Sequence, residues 1–236
     1  RTINAKMYNS FRDGTKAQVE MTALANMTGL PPDVRGMHEP SVNLEDIPRR
    51  FSLRDEGGLL SRSGVVELAN SVAADGRTML PDPLRMGVFC VIRAEHPFIQ
   101  EDLTSYHCHP GGDGHNFLLW RPYHLVAVEA PLSIARAALY GRPTGAPLDT
   151  PVADTITVAK RDLRAGDKLD GGGGYTVNGL IETAPVARAE GLLPLGLSPG
   201  ATLTSDVVAG DAVRYDDVEM DDTALLPSLR QEQDRL

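Results

Sequence analysis

Two short stretches of the chain hold side chains suited to polar chemistry. Near the start, Lys6 and Lys16 flank an Asn-Ser-Phe-Arg-Asp-Gly-Thr turn that adds Asn9, Ser10 and Thr15 as neutral hydrogen-bonding groups. An ammonium can stabilise, and then protonate, an oxygen that gains negative charge as a carbonyl is reduced. The free N–H groups of a helix N-terminus beside it would make an anion or sugar-hydroxyl site. The same residues also fit a purely structural role, in which Asp13 or Thr15 caps a helix and Lys16 pairs with Glu20 at i, i+4. The second stretch is Arg121-Pro122-Tyr123-His124. A guanidinium beside a proline-stiffened backbone can grip a carboxylate or phosphate with two bonds, and His124 can exchange a proton near neutral pH. Glu129 either faces the same site or favours the N-terminus of the following helix. In the structural alternative, Tyr123 and His124 are half-buried and satisfied, with Arg121 at the surface.

His107-Cys108-His109, with His115 close by, raises the question of a metal. A zinc site needs four ligands, or three and a water, and no matching Cys/His pair occurs elsewhere in the chain. Pro110-Gly111-Gly112-Asp113-Gly114 makes the region a loop, so no zinc centre is expected there. A Mg2+- or Mn2+-type site built from carboxylates and substrate phosphate has no readable spacing and stays open. The glycine run Gly171 to Gly174 is followed by Tyr175-Thr176-Val177, a strand pattern. A dinucleotide fingerprint would be a strand, then G-x-G-x-x-G opening a helix, so the run reads as a flexible turn.

The elements that must carry these residues are marked by glycine and proline. Asn9 to Leu30 reads as a helix capped by Asp13, with Ala17, Met21, Leu24 and Ala25 on one apolar face and Gly29 with Pro31-Pro32 as its stop. Met37 to Leu60 reads mostly as loop, and Ser63 to Asp75 as helix or strand. Met86 to Arg93 is β-branched and apolar, a buried strand. Phe117 to Glu129 reads as a strand region interrupted by Pro122. Pro131 suits the first turn of a helix that runs to Tyr140 and closes at Gly141. The proline-rich segment from Gly141 to Asp154 is a linker. Beyond it, the pattern D-φ-x-A-G-D-x-φ (φ aliphatic) at Asp162–Leu169 returns 44 residues later at Asp206–Val213. It predicts a strand, a tight Ala-Gly-Asp turn and a strand, used twice in one compact β-unit. The last dozen residues are polar and are expected to fray.

Composition removes several classes of function. Of 236 residues, 23 are Lys or Arg and 32 are Asp or Glu, a formal charge of −9. That acidity argues against a nucleic-acid or anionic-membrane binder. No apolar run reaches the roughly 18–20 residues that span a bilayer, and no signal-peptide pattern opens the chain. Two cysteines, Cys90 and Cys108, make no disulfide framework, so a reducing, cytoplasmic setting is expected. The chain opens on Arg1, as though residues upstream had been removed.

The stretch VAKRDLRAGDKLDGGGGYTVNG with LLPLGLSPGATLTSDVVAGDAVRYDDVEM resembles an SAF domain, the antifreeze-like β-clip module. Lys6-Met7-Tyr8-Asn9-Ser10-Phe11-Arg12-Asp13-Gly14-Thr15-Lys16 and Arg121-Pro122-Tyr123-His124-Leu125 are similar to SAF-domain-containing oxidoreductases related to homoserine dehydrogenase. That family includes the reductoisomerase-like enzymes that form 2-C-methylerythritol 4-phosphate from 1-deoxyxylulose 5-phosphate. The resemblance implies a Rossmann NAD(P)-binding domain, which this chain lacks, a catalytic domain and a C-terminal SAF domain.

The expected fold is therefore an α/β or α+β domain over residues 1–150, an all-β SAF-like domain over 151–222 and a polar tail over 223–236. The resemblance implies a homo-oligomer and NAD(P) held mainly by the absent domain. It implies catalytic roles for Lys6, Lys16 and His124, and substrate contacts from Asn9, Ser10, Thr15, Arg121, Tyr123 and Glu129. The expected function is the substrate-binding and oligomerising part of an oxidoreductase acting on a small hydroxylated carbonyl compound. Two other readings remain, a non-catalytic sugar or sugar-acid binding module and an assembly fragment left by proteolysis.

Overall fold

A computed structural model describes residues 3–112, 114–221 and 224–235. Arg1 and Asp113, named above, lie outside the described residues. The protein is a mixed α+β structure whose named strands, among the described residues, all pair antiparallel. It divides into two compact units, residues 1–37 with 147–236 and residues 38–146. The division differs from a single break near residue 150, because the first helices pack with the C-terminal part of the chain.

The first unit is organised by helix α1 (Ala5–Arg12), helix α2 (Thr15–Thr28) and a two-stranded sheet of β4 (Ala153–Ala159) and β5 (Val177–Thr183). The single expected helix from Asn9 to Leu30 is thus two helices. Gly14, at φ 80°, breaks the chain between them, and Gly29, at φ 77°, ends the second as expected. The N-cap of α2 is Gly14 rather than Asp13, although Asp13, one residue earlier, accepts from the Thr15 amide at 3.0 Å.

The buried face of α2 matches the apolar face read from periodicity only in part: Ala25 is buried and Ala17 and Met21 are half-buried. Leu24 is exposed, while Thr15, Gln18 and Ala25 are buried. Thr15 Oγ1 accepts from the Gly179 amide at 3.2 Å. Gln18 Oε1 accepts from the Ile181 amide at 2.7 Å, and its Nε2 donates to the Gly36 carbonyl at 2.8 Å. One turn on, the Thr155 hydroxyl donates to Thr22 Oγ1 at 2.8 Å. At the far end Asn26 Oδ1 accepts from Val152 and Ala153 at 2.8 and 3.0 Å, and its Nδ2 donates to the Ala153 carbonyl at 2.9 Å. A polar row at positions 15, 18, 22 and 26 therefore docks α2 on the sheet.

The internal repeat takes a symmetric form. The residues of its two copies bond each other, Leu163 to Val207 in both directions at 2.9 and 3.0 Å. Asp206 Oδ1 accepts from Ala165 N, and Asp162 Oδ1 accepts from Ala209 N, both at 2.9 Å. Gly166 and Gly210 supply the matching turns at φ 91° and 89°. Leu163, Leu169, Val207 and Val213 from the two copies share one core with Val177, Leu193 and Leu203. The segment 151–222 also contains helix α6 (Ala184–Ala189), so strands alone do not build it. The expected frayed tail is instead helix α7 (Leu225–Gln233), anchored by a two-bond ion pair from Arg230 to Asp154 at 2.7 Å.

In the second unit, β1 (Val88–Arg93), β2 (His109–Pro110) and β3 (Asn116–Arg121) form a sheet in the order β1-β3-β2. Strand β1 falls where the sequence places it but lies at a sheet edge and is half exposed rather than buried. The stretch Met37 to Leu60 contains the short helix α3 (Ile47–Arg50) and supplies core residues Val42, Leu44, Ile47, Phe51 and Leu60, which pack with Leu84 and Leu118. Ser63 to Asp75 is neither helix nor strand and makes only isolated bridges. Helix α4 (Pro97–Ser105) and helix α5 (Val126–Tyr140) complete the unit. Helix α5 starts five residues before Pro131, because Glu129 Oε2 accepts from the Leu125 amide at 2.6 Å and caps the first turn. Gly141 closes it at φ 61°.

Replacing Gln18 by Met keeps most of the volume but leaves the Ile181 amide and the Gly36 carbonyl unpaired in the core. Each orphaned group costs about 1–3 kcal/mol. Urea unfolding of Gln18→Met is therefore expected to show a loss of about 2–4 kcal/mol, and wild-type stability would refute the docking role.

Candidate functional site

The N-terminal candidates meet the glycine run. Lys6 Nζ donates to the Asp170 carbonyl at 2.6 Å, and Asn9 Nδ2 donates to the Gly173 carbonyl at 3.0 Å. The run is a turn, but a closely held one. A Cβ on Gly173 would stand 2.1 Å from the Lys6 carbonyl oxygen and 3.2 Å from Ser10 Cβ, and its φ is +76°. The Ser10 hydroxyl donates to the Met7 carbonyl within α1 at 2.7 Å. Lys160, which sequence reasoning missed, donates to Asp13 Oδ2 at 2.5 Å and to the Gly174 carbonyl at 2.6 Å. It meets the charge of the Asp13 carboxylate at the junction of α1 and α2. No motif marks it, since it lies 147 positions from its partner.

Thr15 is buried against Gly179 through its hydroxyl. Lys16 Nζ stands 3.4 Å from Glu20 Oε1 and 5.0 Å from the centre of the Phe11 ring. Lys6, Asn9 and Ser10 thus gather on the glycine turn, while Thr15 and Lys16 turn to other partners.

Asp170 fixes the base of the turn. Its carboxylate accepts from the Tyr175 amide at 2.6 Å, from the Thr176 amide at 3.0 Å and from the Thr176 hydroxyl. Partial burial works against its charge, but the Thr176 hydroxyl, the two amides and the Lys6 ammonium outweigh it, and its pKa is held below the ordinary 3.8.

The second unit brings its four candidates together. Arg121 forms an ion pair with Glu129, through Nη2 and Oε1, and lies over the Tyr123 ring at 4.8 Å. Hydrogen bonding from the Leu125 amide holds the Glu129 carboxyl below its ordinary value, and the positive charge of Arg121 lowers it further. His124 Nδ1 lies 2.7 Å from the Met86 carbonyl. A carbonyl only accepts, so Nδ1 carries the proton and Nε2 of the neutral ring presents a lone pair. An arginine fork, a phenol and an imidazole nitrogen in one cluster can bind an oxyanion and exchange a proton with it.

The glycine run is not a dinucleotide fingerprint: Gly173 packs against α1, and the run leads into β5 rather than into a helix. No hydride step is assigned to it. Among the described residues, no three His, Cys, Asp or Glu side chains come together as metal donors, so none is assigned to Mg2+ or Mn2+. Cys90 and Cys108 are both free thiols, and no described helix is long and apolar enough to cross a membrane.

The Asp170 contacts carry a pH dependence with a definite sign. A carboxylate whose pKa is depressed on folding contributes stability in full above its unfolded value and loses it as pH falls through the folded one. Acid titration below pH 3.8 is expected to remove the contribution of Asp170. Asp170→Asn should lose about 1–3 kcal/mol at neutral pH and show a shallower acid dependence than wild type. An unchanged acid profile would contradict the assignment.

Comparison with known proteins adds the family. No curated protein matches the chain. The family model described as oxidoreductase DRL, catalytic domain, matches residues 1–130. Every candidate named above from the sequence, from Lys6 to Glu129, falls inside that span, which covers more than half of the 236 residues. The chain belongs to the oxidoreductase DRL family and carries its catalytic domain.

Proposed function

We propose that the chain is the substrate-binding and oligomerising part of an NAD(P)-dependent oxidoreductase acting on a small hydroxylated carbonyl compound of the sugar-phosphate type. The observation that carries this reading is the match to an oxidoreductase catalytic domain over residues 1–130. The Arg121 cluster supports a substrate with an oxyanion. The Glu129 ion pair engages Arg121 Nη2, and the rest of the fork suits a phosphate or carboxylate. In the first unit Lys6 is the group to stabilise charge on a substrate oxygen, with Asn9 and Ser10 as neutral contacts, while Thr15 and Lys16 are engaged within the fold. In the second unit His124 is the group to exchange a proton, with Tyr123 as its neutral contact. NAD(P), when bound, supplies or accepts the hydride, and a separate Rossmann domain holds it. The C-terminal half-repeats are those of an SAF-like module. The protein works in the cytoplasm, in an isoprenoid-type or homoserine-type reaction.

Helix α5 supports the oligomer. Val126, Val128, Leu132, Ile134, Leu139 and Tyr140 are each at least 67% exposed, and an apolar helix without cover is unstable in water. A second copy of the chain supplies that cover.

The test is turnover by the full-length natural protein with NADPH and 1-deoxyxylulose 5-phosphate, and with NADP+ and homoserine. Consumption of cofactor with either compound is expected. Arg121→Ala should then lower kcat/KM roughly 10–100-fold, mainly through KM, as loss of charge-assisted bonds worth about 1.5–3 kcal/mol. Saturable binding of a sugar phosphate with no turnover would overturn the enzyme reading in favour of a binding module.

A further inference from the structure

Helix α7 carries its apolar residues largely on the outside. Leu225, Leu226 and Leu229 are 70%, 62% and 48% exposed, and no residue of the helix is buried. So short a helix draws its stability from the face it packs rather than from its own hydrogen bonds, and here that packing is incomplete. A cleft of about 650 Å3 runs along one side of α7, between Pro227 and Gln231 on the helix and Tyr215, Val218 and Met220 opposite. A second, of about 410 Å3, lies between Leu226 and Leu229 on the helix and Pro194 and Leu197 opposite. Leu197, Tyr215, Val218 and Met220 are the partly buried outer layer of the core that the two half-repeats build.

What holds α7 is polar and confined to its C-terminal end. Arg230 donates through Nη1 and Nη2 to the two carboxylate oxygens of Asp154 in β4, both at 2.7 Å, with the two side chains only 18% and 14% exposed. Its Nε donates to Asp234 at 3.1 Å, and Arg188 of α6 stands 3.9 Å from the same carboxylate. The Ser228 hydroxyl bonds within the helix, to the Leu225 carbonyl. Among the described residues, every hydrogen bond and ion pair that ties α7 and its C-cap to another element runs through Arg230 or Asp234. Removing one partner of a largely buried ion pair leaves the other charge uncompensated. The pair therefore fixes one position of the helix when made and favours release when broken. Helix α2 of the same unit differs, since it buries Thr15, Gln18 and Ala25. An element with few buried contacts opens at a lower free energy than the core beside it.

We infer that α7 is a strap, latched to β4 by the Arg230–Asp154 pair, that swings clear in one piece while the core of the half-repeats stays folded. Opening bares the apolar layer of Leu197, Tyr215, Val218 and Met220, and closing covers it again. The inference concerns the first unit alone and stands apart from the oxidoreductase reading.

Amide hydrogen exchange of the full-length protein at neutral pH tests it, with Nile red fluorescence reporting the bared face. In the wild type, the amides of residues 231–233 are expected to exchange at least roughly 10²-fold faster than those of Thr157 and Val213, yet roughly tenfold or more slower than in an unfolded chain. Arg230→Met keeps the apolar stem of the side chain and removes the latch. It should speed exchange at 231–233 about a further tenfold and raise Nile red emission, with Thr157 and Val213 unchanged. Wild-type exchange of the helix at the rate of Thr157 and Val213 means that α7 leaves only when the whole unit unfolds, and exchange at unfolded-chain rates means that it is not docked. Either result overturns the strap. Equal helix exchange in Arg230→Met and the wild type overturns the latch, as does an equal acceleration of Thr157 and Val213, and unchanged emission overturns the bared face. Should Arg230→Met not fold, Asp154→Asn breaks the pair from the other side and is judged by the same outcomes, while the wild-type measurement decides the strap by itself.

Discussion

Strand β5 bonds to β4 along one edge, and along its other edge the backbone groups are met by side chains and loop. The Gly179 amide finds Thr15, the Ile181 amide finds Gln18, and the Ile181 carbonyl accepts from Gly36 N at 2.8 Å. An open strand edge inside a protein must be paired or covered. Here a helix from the first thirty residues covers a strand drawn from beyond residue 176, and the polar positions that dock it, Thr15 and Gln18, are not ones that periodicity reveals. Several buried backbone groups depend on this contact, each worth about 1–3 kcal/mol if orphaned. Their sum is comparable with the roughly 5–15 kcal/mol that holds a typical domain.

The rest of the first unit follows from that docking. Gly179 must lack a side chain, because a Cβ there would lie 2.7 Å from both Leu195 Cδ2 and Thr155 Cγ2. With α2 fixed, α1 reaches the glycine turn, where Lys6 and Asn9 hold backbone carbonyls and Lys160 joins the turn to the Asp13 carboxylate. Polar groups that resemble a ligand site in one dimension thus spend much of their bonding on the fold itself. In the second unit, the Arg121, Tyr123 and Glu129 contacts bring polar groups together in a more exposed setting.

Local rules recovered a good part of the fold. The stops at Gly29 and Gly141 and the paired glycine turns of the repeat at Gly166 and Gly210 depend on neighbours within a few residues. The failures have physical causes of another kind. The face of α2 was read only in part, because Thr15 and Gln18, which periodicity counts as solvent-facing, are buried along with Ala25. The start of α5 was misplaced because the Glu129 cap outweighs the preference of Pro131 for a first turn. Arg230 lies 76 positions from Asp154, and nothing in the spacing of either marks the pair. At the site, residue types named from the sequence do cluster around Arg121, whereas Thr15 and Lys16 are engaged elsewhere.

Amide hydrogen exchange, resolved residue by residue, tests the docking of α2 on β5 most directly. The account predicts that the Gly179 and Ile181 amides exchange as slowly as those of Thr157 and Val213, whose partners are core backbone carbonyls. Exchange of Gly179 and Ile181 at the rates of exposed loop amides, with Thr157 and Val213 still protected, would contradict it.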